Sequence, residues 1–240
     1  MRPEPFPDTP SPQVPSPYRP SRYTPSPQVP SPYTLDQLVD RARALASTGP
    51  RRLLGITGAP AAGKSTLAGL LVTALDGIAE LVPMDGFHLA EAELHRLDRH
   101  ARKGAPDTFD GAGFVALLRR LRTGTETVYA PEFRRELEEP VAGAIPVPPS
   151  VPLVVVEGNY LLLPDQPWGE VRDLLDEVWF LDLDEAERLH RLTERHIAFG
   201  REPLAAAARA RGTDQRNADL IAGTIDRADL VVRMAPSNPA

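Results

Sequence analysis

The chain has no cysteine, which excludes disulfides and thiolate metal sites as sources of stability and leaves nothing that points to an oxidising compartment. Long apolar runs are missing too. No stretch approaches the roughly 18–20 residues that cross a bilayer, and the first residues carry Arg2 without the apolar core of a signal peptide. Basic charge is not in excess: 33 acidic residues stand against 27 basic ones, a formal net charge of −6. Binding nucleic acid through its phosphates needs the opposite balance. The expectation from these absences is a soluble, unexported, cytoplasmic protein with neither nucleic acid nor membrane as a partner.

Proline, by contrast, is abundant, with 27 residues, and it crowds the first part of the chain, where the decapeptide TPSPQVPSPY occurs at 9–18 and again, unchanged, at 24–33. Proline removes backbone donors and biases its neighbours to extended conformations. Residues 1–33 are therefore expected to form a disordered or polyproline-like arm outside the core, and residues 34–240 one folded domain. Helical spacing opens at once: Thr34 and Gln37 make the pair of a capping box, and Leu35, Leu38, Val39, Ala42 and Leu45 recur three and four apart.

Residues 51–57 read as a strand, 63–75 as a helix and 78–84 as a second strand, a βαβ rhythm that predicts parallel pairing. Further helical stretches lie at 114–121, 185–197 and 204–221, and short apolar strands at 153–156, 178–183 and 230–232. The expected class is α/β, with about five short buried strands in a parallel sheet and helices on both faces.

Between the first strand and its helix, Gly58-Ala59-Pro60-Ala61-Ala62-Gly63-Lys64-Ser65 matches the phosphate-loop pattern G-x-x-x-x-G-K-[ST] in the required context. Chance would give such a match in about one chain of this length in a hundred, before strand and helix are demanded around it. The two glycines let the backbone turn its N–H groups inward on a polyphosphate, whose charge a helix N-terminus also favours. Lys64 is expected on the β- and γ-phosphates and Ser65 on Mg²⁺, with Thr66 a bystander or nucleotide contact.

A phosphate loop does not by itself separate a kinase from a switch or a motor, so two acids carry weight. Asp85 follows the second strand, at the sheet end that faces the ligand crevice, where a carboxylate can accept a proton from a substrate hydroxyl. The bland alternative is an Asp-Gly turn, although Phe87 and His88 place an exposed aromatic and an imidazole beside it. Glu157 follows the 153–156 strand as a Mg²⁺-organising acid would, and Gly158-Asn159-Tyr160 continues at the sheet edge.

These residues together resemble the phosphoribulokinase/uridine kinase family, which includes type I pantothenate kinase, and especially its bacterial nucleoside/nucleotide kinase branch. The resemblance runs over about residues 50–233, through GAPAAGKST (58–66), MDGFHL (84–89), RKGAPDTFD (102–110), YAPEF (129–133), VVVEGNYLL (154–162) and RHIAFG (195–200). It implies a three-layer P-loop fold with a lid, ATP and Mg²⁺ as cofactors, and γ-phosphoryl transfer to a hydroxyl of a small molecule. It also implies Asp85 as base, Arg195 on the lid, and Arg102, Lys103, Tyr129 and Phe133 at the acceptor, with His88 and Asn159 beside them. Asn217, in a D-x-x-N-A segment with Asp214, is placed on the adenine side. A homodimer is common among such kinases.

Close relatives usually carry Asp where this chain has Arg134, which puts transfer of their acceptor in doubt. A nucleoside is the first expectation, with pantothenate or a sugar as alternatives. Arg191, Arg201 and His196 share the lid region with Arg195, against the plainer reading of a solvated helix with Glu187 and Glu194 as partners. A rival class, an ATP-binding regulatory or assembly protein, would keep slow hydrolysis in an Asp85→Asn variant. The five histidines include no H-E-x-x-H, so His95 and His100 read as surface imidazoles rather than metal ligands.

Overall fold

A computed structural model describes residues 32–234. In chain order the elements are α1 (Leu35–Ala46), β1 (Arg52–Gly58), α2 (Lys64–Ala74), β2 (Ala79–Pro83), α3 (Glu91–Arg96), α4 (Gly111–Thr123), β3 (Val128–Arg134), β4 (Glu139–Val147), β5 (Leu153–Glu157), α5 (Val171–Leu174), β6 (Glu177–Leu181), α6 (Glu185–Ala198), α7 (Pro203–Arg211), α8 (Thr213–Ala222) and β7 (Leu230–Val232). The capping box at the start of α1 forms as the sequence predicts: Gln37 N donates to Thr34 Oγ1 at 3.3 Å and Thr34 N donates to Gln37 Oε1 at 3.0 Å. No helix among the described residues is long and apolar enough to cross a membrane.

Five strands pair in the order β2-β5-β1-β6-β7, all parallel. The all-apolar run of β5 fits its place, since every residue of Leu153–Glu157 is buried and both faces of the strand are covered. On one face Leu54, Ile56, Val155 and Trp179 meet α1 and α2 through Leu38, Ala42, Leu67 and Leu71. On the other, Leu53, Val154, Val156 and Phe180 meet α4 through Phe114, Leu117, Leu118 and Leu121, with Trp168 and Ile221 alongside. Alternation along the strands thus supplies two cores, and each fully buried Leu, Ile or Phe contributes roughly 1.5–3 kcal/mol.

Two features depart from the sequence reading. The stretch 204–221 is two helices, because Gly212 takes φ −95°, ψ −103° and breaks the ladder between α7 and α8. The second is an antiparallel hairpin, β3–β4, which stands apart from the main sheet and interrupts its rhythm. The expected Pro-rich arm lies outside the described residues except for Pro32 and Tyr33. Tyr33 packs against the α1–α2 core, and its N–H donates to Arg233 O at 2.8 Å in a bridge to Met234.

Candidate active site

The phosphate loop joins β1 to α2. Gly58, at φ 146°, lies so close to β6 that a Cβ there would stand 2.6 Å from Leu181 O, and Gly63 begins the helix at φ 97°. No side chain caps the first turn of α2, so its N-terminal amides are available to an oxyanion, as the loop chemistry requires. Within the loop Ala62 N donates to Ala59 O at 3.0 Å, and Pro60 and Ala62 are buried while Ser65 and Thr66 are exposed.

Lys64 is 7% exposed; its Nζ donates to Ala59 O at 3.2 Å and stands 3.9 Å from Glu157 Oε1. Burial lowers the Lys64 pKa from its ordinary value, with Glu157 and Asp85 acting against it. The register that pairs Ile56 of β1 with Glu157 of β5 brings the acid beside the loop, where Ser65 Oγ donates to its Oε2 at 3.3 Å. Burial pushes the Glu157 carboxyl up to about 7, and the nearby Lys64 ammonium opposes that rise. A buried cation, a hydroxyl and an acid gathered under uncapped amides fit a Mg²⁺-bound polyphosphate.

Asp85 lies in the 3₁₀ turn Met84–Phe87 that follows β2. Because Pro83 pairs with Glu157, the ends of β2 and β5 place the two acids at one edge of the crevice. The turn is pressed against the hairpin: a Cβ on Gly86 would stand 2.3 Å from Pro131 O, so only glycine fits. Phe87, expected to be exposed, instead turns inward and meets Phe114 edge-on at 5.2 Å. His88 Nδ1 lies 2.8 Å from Asp85 O, and because a carbonyl only accepts, this nitrogen carries the proton. Its ring sits between Phe109 at 4.0 Å and Phe133 at 4.9 Å, and burial, against the opposing charge of Asp85, lowers its pKa and favours the neutral imidazole.

Around this edge the expected acceptor residues separate. Lys103 is 2.5 Å from Glu91 Oε1, donates to Glu138 O at 2.9 Å and stands 5.2 Å from the centre of the Phe133 ring. Arg102 pairs with Asp107 and lines a cavity of about 450 Å³ with Thr213, Arg216 and Asn217. Asn217 itself, buried, donates from Nδ2 to Gly104 O at 3.2 Å, and the buried Tyr160 hydroxyl donates to the same carbonyl. The structure thus sets Asn217 against the loop of the RKG block. Asn159 accepts from Thr57 Oγ1 through its carbonyl at 3.2 Å, and Tyr129 is 56% exposed on the hairpin. His95 and His100 stack at 4.2 Å, with His100 Nε2 2.9 Å from Glu91.

Of the cations on and after α6, Arg195 is the one that senses the site. Burial lowers its pKa; Arg135 acts in the same direction, and Asp214, Asp85 and Glu157 act against it. Arg191 pairs with Glu187 at 2.7 Å on the exposed face, Arg201 is exposed, and His196 bonds to Asp214 at 2.7 Å.

No family model matches the chain. A uridine kinase candidate of Schizosaccharomyces pombe is 36% identical over 175 residues, which cover 69% of this chain and 74% of that protein. The chain belongs to the P-loop kinases of the uridine kinase and phosphoribulokinase type. This kinase is also 39% identical, over 146 residues that cover 57% of it and 85% of the relative, to the ATP-dependent kinase-like protein notR' of Aspergillus versicolor. A crystal structure of a candidate fructose transport system kinase from Silicibacter sp. TM1040 matches with a TM-score of 0.77 and 37% identity, over 84% of the kinase and 100% of that chain. The kinase is an ATP-dependent phosphotransferase.

Two residues of the kinase escaped the sequence reading. Arg135, just past β3, reaches Asp85, with Nη2 3.9 Å from Oδ2. Its neighbour Arg134, the position flagged against close relatives, instead pairs with Glu132 at 2.6 Å and Glu136 at 3.6 Å. Arg209 of α7 donates to Ala101 O at 3.0 Å and Lys103 O at 3.1 Å, which ties that helix to the RKG loop. The doubled arginine after YAPEF was a visible signal for the first; nothing in the Ala-rich α7 singled out the second.

Proposed function

We propose that this kinase transfers the γ-phosphoryl group of Mg·ATP to a hydroxyl of a small metabolite, with Asp85 as the general base. The observation that carries the reading is the grouping of Lys64, Ser65 and Glu157 under the uncapped amides of α2, with Asp85 in the turn after β2, whose Pro83 pairs with Glu157. Uncapped amides of α2 and the Lys64 ammonium hold the β- and γ-phosphates; Ser65 and Glu157 would hold Mg²⁺. When bound, Mg·ATP supplies the phosphoryl group and a divalent charge that offsets its oxygens. Asp85 accepts the proton of the acceptor hydroxyl as that oxygen closes on the γ-phosphorus, and the electron pair of the broken bond leaves with ADP. Arg195, carried by the α6–α7 arm acting as a lid, stabilises the charge on the moving group and excludes water.

A nucleoside, a sugar and pantothenate all present a suitable hydroxyl, and the relatives above carry different acceptors in their names, so the class of acceptor rests on the pocket itself. The test is Mg-ATP with a panel of nucleosides, pantothenate, sugars and glycerate, read by acceptor-dependent ADP release and product mass. Asp85→Asn should lower kcat by about 10²–10⁴-fold while the affinity for ATP stays unchanged. Undiminished transfer in that variant would remove Asp85 from the mechanism.

A further inference from the structure

Four cations lie within electrostatic reach of Asp85 or His88, and three are accounted for. Lys64 belongs to the phosphate loop, Arg195 serves the same phosphates from α6, and Lys103 is held by Glu91 at 2.5 Å and by Glu138 O at 2.9 Å. Arg135 is different. Its 3.9 Å approach to Asp85 is too long for a hydrogen bond, and its side chain is 54% exposed and makes no hydrogen bond among the described residues. On its other side the guanidinium carbon stands 5.7 Å from the centre of the Phe199 ring, at the end of α6. The hairpin and α6 thus hold a guanidinium beside the base with its donors unused.

A guanidinium recognises a carboxylate or phosphate through paired N–H donors, and it is more weakly hydrated than an ammonium, so a planar or tetrahedral oxyanion is its natural ligand. A neutral nucleoside or sugar offers no such group. Lys103, lying over Phe133 on the same hairpin, adds positive potential nearby. Resting on the kinase reading above, we propose that Arg135 determines acceptor specificity and that the acceptor carries an oxyanion, carboxylate or phosphate, a few bonds from the hydroxyl it presents to Asp85.

The test uses the full chain with Mg²⁺ and a non-hydrolysable ATP analogue, titrated calorimetrically with small hydroxy acids, sugar phosphates and neutral nucleosides and sugars, followed by turnover of each with Mg-ATP. One of the two anionic sets should bind and be phosphorylated, and which one tells carboxylate from phosphate. Arg135→Gln should weaken that binding by about tenfold or more, the scale of one charge-assisted hydrogen bond, with KM for ATP unchanged. Arg135→Lys should recover part of the loss, and Arg134→Gln should behave as the parent. Failure of both anionic sets to bind, equal use of neutral acceptors, or indifference to Arg135→Gln would each overturn the assignment; the last two leave the kinase intact. Arg135-dependent anion binding with no phosphorylated product would make the bound anion something other than the acceptor and would likewise overturn the assignment.

Discussion

Glu157 is pulled in two directions, since burial favours its proton and a metal ligand must be without one. Its folded value of about 7 lies above the ordinary 4.5, so between those values the folded protein holds a proton that the unfolded chain has lost. Stability from this group therefore falls as pH rises through that window. Binding of Mg·ADP should reverse the trend by drawing on the ionised form. The rise in Tm on adding Mg·ADP should be larger at about pH 8 than at about pH 6, and in Glu157→Gln that difference should vanish. The acid's position was legible because it closes an all-apolar strand, where an acid serving the phosphate loop must stand in a parallel sheet. Its raised pKa was not, because burial depends on what the fold lays over it.

At the scale of elements, the parallel sheet and its flanking helices followed from apolar runs and helical spacing, and the α1 cap was readable from two residues. The β3–β4 hairpin was not. Its strands hold few buried residues and include Pro131, Pro140 and Pro146, so neither alternation nor a β-branched run announces them. Arg135 was missed with it, because which of two adjacent arginines faces the site depends on how the chain turns at the end of β3. Arg209 poses a question of the same kind, since it fastens α7 to the loop carrying Lys103. If the α6–α7 arm closes on nucleotide, that fastening should carry the closure to the acceptor. Arg209→Gln should raise KM for the acceptor several-fold and weaken the enhancement of acceptor binding by nucleotide, a coupling typically worth 5–150-fold. Acceptor titrations with and without the ATP analogue measure it.

Over the whole molecule, charge is distributed against its sum. The chain carries a net −6, yet Lys64, Lys103, Arg135 and Arg195 gather at one crevice. Cations held at one crevice of an acidic protein favour small anions there, while the net negative charge repels large polyanions elsewhere on the surface. For an oxyanion-bearing acceptor, kcat/KM should fall as ionic strength rises past the point where the screening length shrinks to about 8 Å, and Arg135→Gln should flatten that dependence. Steady-state kinetics across a salt series, with a neutral osmolyte as control, checks it.

The bridge between Tyr33 and Met234 has a topological consequence. Because the backbone N–H of Tyr33 meets the carbonyl of Arg233, the segment that leads into α1 lies beside the one that leaves β7, and the path through the five-stranded sheet returns close to where it entered. A short peptide joining Tyr33 and Met234, with a new opening at the exposed turn between β3 and β4, would preserve every strand neighbour of the main sheet, and order along the gene would cease to matter to the architecture.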